Sequence, residues 1–276
     1  MTTSPDVVVA SSDEDSDCVA AVDVDSGDEE YVPLMPHHDF LRWIAHFDGT
    51  IEDDFMGVFD TSVVRIAQLR GYRAPLGFDL KSGHNLLSWE ARSVVLRTLE
   101  SRRPKCLVLA PPCTMFCALM KMWCFAKMSE AERTRRMTEA CVLFDFAVLC
   151  AKVQLLGGRL FLLEQPASAS SLKRLSVAEL KTNAGVALSM FDMCRFDLRS
   201  PLGTPIRKHT CFVSNSINTH ALFHKKGCNG HHAVHLRIQG SEAGQRLSTW
   251  CQNYPRALCE GIIATSMASS NVVDLS

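Results

Sequence analysis

Residues 105–113 read KCLVLAPPC and residues 159–166 read RLFLLEQP. In each, an unbroken apolar run stops abruptly at proline, at Pro111 and Pro112 in the first and at Pro166 in the second. A strand that is apolar on both faces belongs inside a parallel sheet with helices on either side, and proline, with no backbone N–H to donate, closes it. Between the two runs lies a long helical pattern. Ser129 and Glu132 open it at capping-box spacing, Met137, Cys141, Phe144, Val148 and Ala151 share one apolar face, and Gly157 and Gly158 end it. Strand, helix and strand in this order predict one right-handed crossover unit.

Working outward, the same alternation precedes this unit. Residues 55–59 predict a strand and SVVRIAQLR (62–70) a helix closed by Gly71; a second strand is expected around Ala74 to Phe78, ending at Asp79. The helix WEARSVVLRTLESRR (89–103) runs until Pro104 forbids continuation. Parallel strands joined by helical crossovers deliver their exit loops to one edge of the sheet, where open α/β sheets place their ligands. Thr61, Asp79, Cys113 and Glu164 each follow a predicted strand and are therefore expected on one rim.

Composition sets the outer limits. A chain of 276 residues that is 47% apolar and 21% charged is globular rather than fibrous or wholly disordered. Its net charge of −1 conceals an asymmetry, because residues 1–30 hold ten acids and no Lys or Arg; removing those ten negative charges leaves +9 on the rest. Residues 1–35 read as a disordered acidic tail, and residues 36–276 as one domain with a small Cys/His-rich lobe around 190–240. A basic body suits an anionic partner such as DNA. The most apolar stretch, residues 141–153, is interrupted by Asp145 and Lys152 and falls short of the ~20 residues a membrane span needs. The N-terminal residues lack the basic and apolar regions of a signal peptide, so the twelve cysteines are expected as thiols in an intracellular protein of nucleus or cytoplasm.

Cys113 follows two prolines whose stiffness fixes a thiol above the sheet edge, and a thiolate is a strong nucleophile near neutral pH. Glu164 lies one crossover away, where its carboxyl group can hold or protonate a polar ring. The plainer alternative is a core cysteine and a helix N-cap.

At these residues the chain resembles the DNA cytosine-5 methyltransferases, whose nucleophile loop has the form Pro-Pro-Cys-x-x-Phe-Ser and whose next strand ends in Glu-Asn-Val. Here Pro111, Pro112, Cys113, Phe116 and Cys117 stand in the first, and Glu164, Gln165 and Pro166 in the second. It is more similar still to a divergent branch found in retroelement-type polyproteins, through FLLEQP (161–166), DMCRF (192–196), RKHTCFVSNS (207–216) and CNGHH (228–232). The resemblance spans about Phe55 to Ile263. It implies a class I S-adenosylmethionine-dependent methyltransferase fold, a Rossmann-like three-layer sandwich with a mostly parallel sheet, acting on a cytosine flipped out of DNA. It further implies Cys113 adding to carbon 6, Glu164 at the N3 and amino edge, Phe59, Thr61, Asp79 and Pro111 along the cofactor, and Arg207 and Lys208 as basic residues at the nucleic acid. Thr61 and Ser62 stand where the family has glycines, and Asn85 where an acid is expected near the adenine. A catalytically silent, retroelement-derived nucleic-acid-binding module is the second reading. A thiol hydrolase pairing Cys113 with His209 or His84 is a third.

Six of the ten histidines fall between His209 and His235. Cys228, His231, His232 and His235 could present zinc ligands, with Cys194 as a remote partner; a histidine-rich surface loop is the alternative.

Overall fold

The computed structural model describes residues 53–60, 62–74 and 77–268, with the side chains of Leu119, Lys121 and Trp123 outside that description. The acidic tail and Thr61 therefore lie outside the described residues. The described part belongs to one compact unit.

Six strands form the main sheet: β1 (Phe55–Val58), β2 (Gly77–Phe78), β3 (Cys106–Leu109), β4 (Leu160–Pro166), β5 (Ala187–Asp192) and β6 (His209–Ser214). Their order is β2-β1-β3-β4-β6-β5. The pairs β1·β2, β1·β3 and β3·β4 are parallel, whereas β6 runs antiparallel to both neighbours. The chain is thus an α/β protein with a mainly parallel sheet, as the apolar strand runs predict.

Period-two alternation sends each strand's side chains to two cores. Met56, Val58, Leu107, Leu109, Phe161 and Leu163 meet helices α2 (Trp89–Arg102), α4 (Glu130–Leu156) and α5 (Leu175–Lys181) on one face. Phe55, Cys106, Val108, Leu160, Leu162, Phe191 and Phe212 meet α1 (Ser62–Leu69), α6 (Ile217–Phe223) and α8 (Arg256–Met267) on the other. Short helices α3 (Ala118–Trp123) and α7 (Leu247–Trp250) lie in the connections between these layers. Each fully buried Leu, Ile or Phe contributes about 2 kcal/mol through lost water contact.

Local chemistry sets the boundaries. Ser129 caps α4 by accepting from the Glu132 N–H at 3.2 Å, but the reciprocal half of the box is absent. Arg135 and Arg136 have taken the Glu132 carboxylate instead. The second expected strand is reduced to Gly77–Phe78, and β4 runs two residues past Glu164 because β6 pairs with Gln165 and Pro166. The expected Cys/His-rich lobe is not separate from the main sheet: β5, β6 and α6 run through it, leaving the loops at 193–208 and 224–240 outside them.

The turn after β1 is the tightest near the rim. A Cβ on Gly57 would lie 2.0 Å from the Asp60 carbonyl oxygen, a backbone atom that cannot swing away. Gly57→Ala is expected to cost about 2 to 3 kcal/mol in urea denaturation, as overpacking does; a change below about 0.5 kcal/mol would show that the turn has room. Phe59 follows with φ +64°. That left-handed conformation costs a non-glycine residue roughly 1–2 kcal/mol, and the hydrogen bond from Phe59 N to Phe78 O at 2.7 Å helps hold it.

Candidate active site and metal centre

The parallel strands β1, β3 and β4 all point their C-terminal ends at one rim, and β6, running the other way, begins there. Reversal of one strand therefore brings Lys208, just before β6, to the rim that holds Cys113 and Glu164. The Pro-Pro loop is bolted to β4. Gln165 Nε2 donates to Pro111 O at 2.8 Å, and Ser171 Oγ donates to Gln165 Oε1 at 2.8 Å, both in the interior. Cys113 then opens a short turn over Thr114–Phe116, anchored where Phe116 meets Phe144 edge-on with ring centroids 5.5 Å apart.

An ion pair and a pair of thiols share this rim. Lys208 Nζ lies 3.4 Å from Glu164 Oε1 and donates to the Cys251 carbonyl at 3.3 Å. Burial works against the Lys208 ammonium, but the negative charge of Glu164 leads the effects that outweigh it and raise its pKa. Near this pair the thiols of Cys113 and Cys117 act on each other: the Cys117 thiol first, then burial and the Glu164 charge, drive the Cys113 pKa upward, and the same pairing draws the Cys117 pKa down. The Lys208 ammonium favours the thiolate form of both. Tyr254 is buried beside them. Burial, with the charges of Glu164 and Asp60, holds its phenol well above its ordinary pKa, so it remains a neutral donor.

Asp60 completes the rim. Its carboxylate accepts from Ser62 N at 3.0 Å and Val63 N at 3.1 Å, capping α1. Burial raises its pKa despite those bonds. A raised carboxylate pKa penalises folding once the pH passes the unfolded value of 3.8, and below it both states are protonated and the penalty is gone. Asparagine keeps a cap acceptor without the charge. Relative to wild type, Asp60→Asn should therefore gain stability between about pH 3 and about pH 7, by roughly 1.4 kcal/mol per unit of elevation. Urea melts at the two pH values test this, and a pH-independent difference would refute the buried charge.

Of the expected cofactor residues, Phe59, Asp79 and Pro111 sit at strand exits on this rim. Asp79 caps the turn Leu80–Ser82, accepting from Lys81 N at 3.4 Å, and remains partly exposed. A partly exposed carboxylate at the end of β2 and a left-handed backbone turn at the end of β1 fit a ribose-bearing cofactor. The structure separates the two expected basic residues: Lys208 turns inward to Glu164, whereas Arg207, half exposed, pairs through Nε with Asp192 Oδ2 at 3.1 Å. His209 Nδ1 is 3.0 Å from Asp192 Oδ1, and His84 packs on Phe78. Among the described residues, His84 bonds to Ser82 and His209 to Asp192, and neither bonds to Cys113.

Away from the rim, Cys194, Cys228 and His232 place their ligand atoms within 4.8 Å of one another. His235 stands at the edge of the group, with Nε2 3.3 Å from Cys228 Sγ. His231, grouped with them by spacing, is exposed and not among the three. Among the described residues no cysteine is in a disulfide, and no helix is long and apolar enough to cross a membrane.

Sequence reasoning named Cys117 in the nucleophile motif but not its effect on Cys113, and it missed Lys208 as the partner of Glu164, Asp60, Asp192 and Tyr254. Asp60 had a signal, an acid directly after a strand and before a helix start. Tyr254 had none. Neither the protein-family models nor the curated proteins compared with the chain match it.

Proposed function

We propose that the rim is the active site of a DNA cytosine-5 methyltransferase-like enzyme. One observation carries this reading: a thiol held by a proline-stiffened loop shares one rim with a buried carboxylate and ammonium that act on it from neighbouring strand ends. Such a site suits addition to an electron-poor ring. Cys113, as thiolate, attacks carbon 6 of a flipped cytosine while Glu164 holds the N3 and amino edge. Lys208 offsets the negative charge that both groups bring. S-adenosylmethionine, when bound, supplies the methyl group for carbon 5, and Asp79 with the Phe59 turn is where the chain would hold it. Loss of the carbon 5 proton then expels Cys113 and restores the ring.

Thr61 and Ser62, standing where the family has glycines, favour the second reading of a silent nucleic-acid-binding module. One experiment separates the two. The full chain is incubated with S-adenosylmethionine and a duplex carrying 5-fluorocytosine, in which fluorine blocks the elimination that frees the thiol. A denaturation-resistant protein–DNA adduct and a cofactor isotherm weakened by Asp79→Ala are expected. DNA binding with neither adduct nor cofactor binding would establish the silent module.

A further inference from the structure

We infer that Cys194, Cys228, His232 and His235 form a structural zinc site outside the rim, a conclusion that stands whether or not the rim is catalytic. The donors come from separate parts of the chain. Cys194 lies in the turn Met193–Phe196 that follows β5, and the other three lie in the loop after α6. Both cysteines are buried, and both histidines are partly exposed. Asp192 fixes the two halves to each other: it ends β5 two residues before Cys194, and its Oδ2 accepts the Cys228 N–H at 2.7 Å.

Spacing matches the metal. Zinc–sulfur bonds of about 2.3 Å and zinc–nitrogen bonds of about 2.0 to 2.1 Å set tetrahedral ligand–ligand edges of roughly 3.3 to 3.8 Å. Cys228 Sγ and His235 Nε2 are already 3.3 Å apart. The three-residue group within 4.8 Å needs a contraction of roughly 1 Å, which side-chain rotation supplies. Two thiolates and two imidazoles are soft and borderline donors that select zinc over magnesium or calcium. Four protein ligands leave no open position, so the role is structural.

His232 already sits between the two hooks: its Nδ1 lies 3.0 Å from the His231 carbonyl oxygen and its Nε2 3.2 Å from the Cys194 carbonyl oxygen. A neutral imidazole has one N–H and can serve one of these acceptors. To ligate zinc the ring turns one nitrogen off its oxygen, and a carbonyl left on the other nitrogen is the usual support of a metal-bound histidine.

The site would also brace the rim. Arg207 and His209, which flank Lys208, both hold Asp192, so the start of β6 is tied to the metal hooks on one side and to Glu164 on the other.

The test uses the full chain. Protein desalted after incubation with zinc under reducing conditions should carry about one zinc per chain, and cobalt in its place should show thiolate-to-cobalt charge transfer with the intense d–d bands of a tetrahedral site. Cys194→Ser, Cys228→Ser and His232→Ala should each weaken zinc by at least about 100-fold and His235→Ala by at least about 10-fold, while His231→Ala holds zinc as wild type does. Should those variants fold poorly, the wild-type cobalt spectrum decides alone. Wild-type protein without zinc or a thiolate–cobalt band overturns the site, and so does a His231→Ala variant that loses metal as Cys228→Ser does.

Discussion

Cys113→Ser should abolish covalent capture of a 5-fluorocytosine duplex, a loss of at least about 10³-fold, as removal of a nucleophile does. A serine hydroxyl in the same place has neither the acidity nor the polarisability of the thiol. The change should alter stability by no more than about 0.5 kcal/mol, because Cys113 is only partly buried and its turn is held by Phe116 and the Gln165–Pro111 bond. Glu164→Gln should reduce capture roughly 10²-fold, within the usual range for a positioned acid. Cys117→Ser separates pairing from nucleophilicity. In the wild-type protein the neighbouring Cys117 thiol is the leading reason the Cys113 pKa is raised. Removing a thiol that competes for the negative charge lowers it, so the pH dependence of capture should move to lower pH with the reaction intact. Equal capture by wild type and Cys113→Ser would end the nucleophile assignment.

Much of this arrangement was legible in the sequence because it is local. The apolar runs that stop at Pro111 and Pro166, the cap at Ser129 and the stop at Gly157 are each decided within a few residues, and the structure places β3, α4 and β4 there. A common rim for Asp79, Cys113 and Glu164 followed from parallel order alone. What escaped depends on the antiparallel strand. RKHT (207–210) reads as a basic, polar lead-in to a strand, and only the reversal of β6 turns Lys208 onto Glu164 while Arg207 and His209 go to Asp192. Alternation along an extended segment then explains the split, since 207 and 209 lie on one side and 208 on the other. Cys194 was legible as a remote partner of the histidine cluster, but not what brings it there: its distance in sequence from Cys228 is closed by a hydrogen bond from a backbone amide to Asp192, which no motif encodes.

Lys208→Met should destabilise the protein by about 3 kcal/mol, the cost of leaving a buried charge without its partner. The Lys208 and Glu164 side chains retain 17% and 7% of their exposure, so solvent cannot replace the missing ammonium. Asp60 compounds the loss, because it acts on Glu164 with the same sign of charge. In the wild-type protein the raised lysine pKa means that this contribution is complete below the ordinary value of 10.5 and is lost as the pH rises through the folded value. Urea denaturation at neutral pH measures the single variant. A loss below about 1 kcal/mol would show the pair to be solvated. The double variant Lys208→Met, Glu164→Leu distinguishes pairing from packing, since exchanging a whole buried ion pair for apolar groups of similar volume is often neutral or stabilising. It should recover most of the lost stability and still fail to capture the 5-fluorocytosine duplex. A pair that can be exchanged at no cost in stability, but not in chemistry, is retained for what it does at the rim.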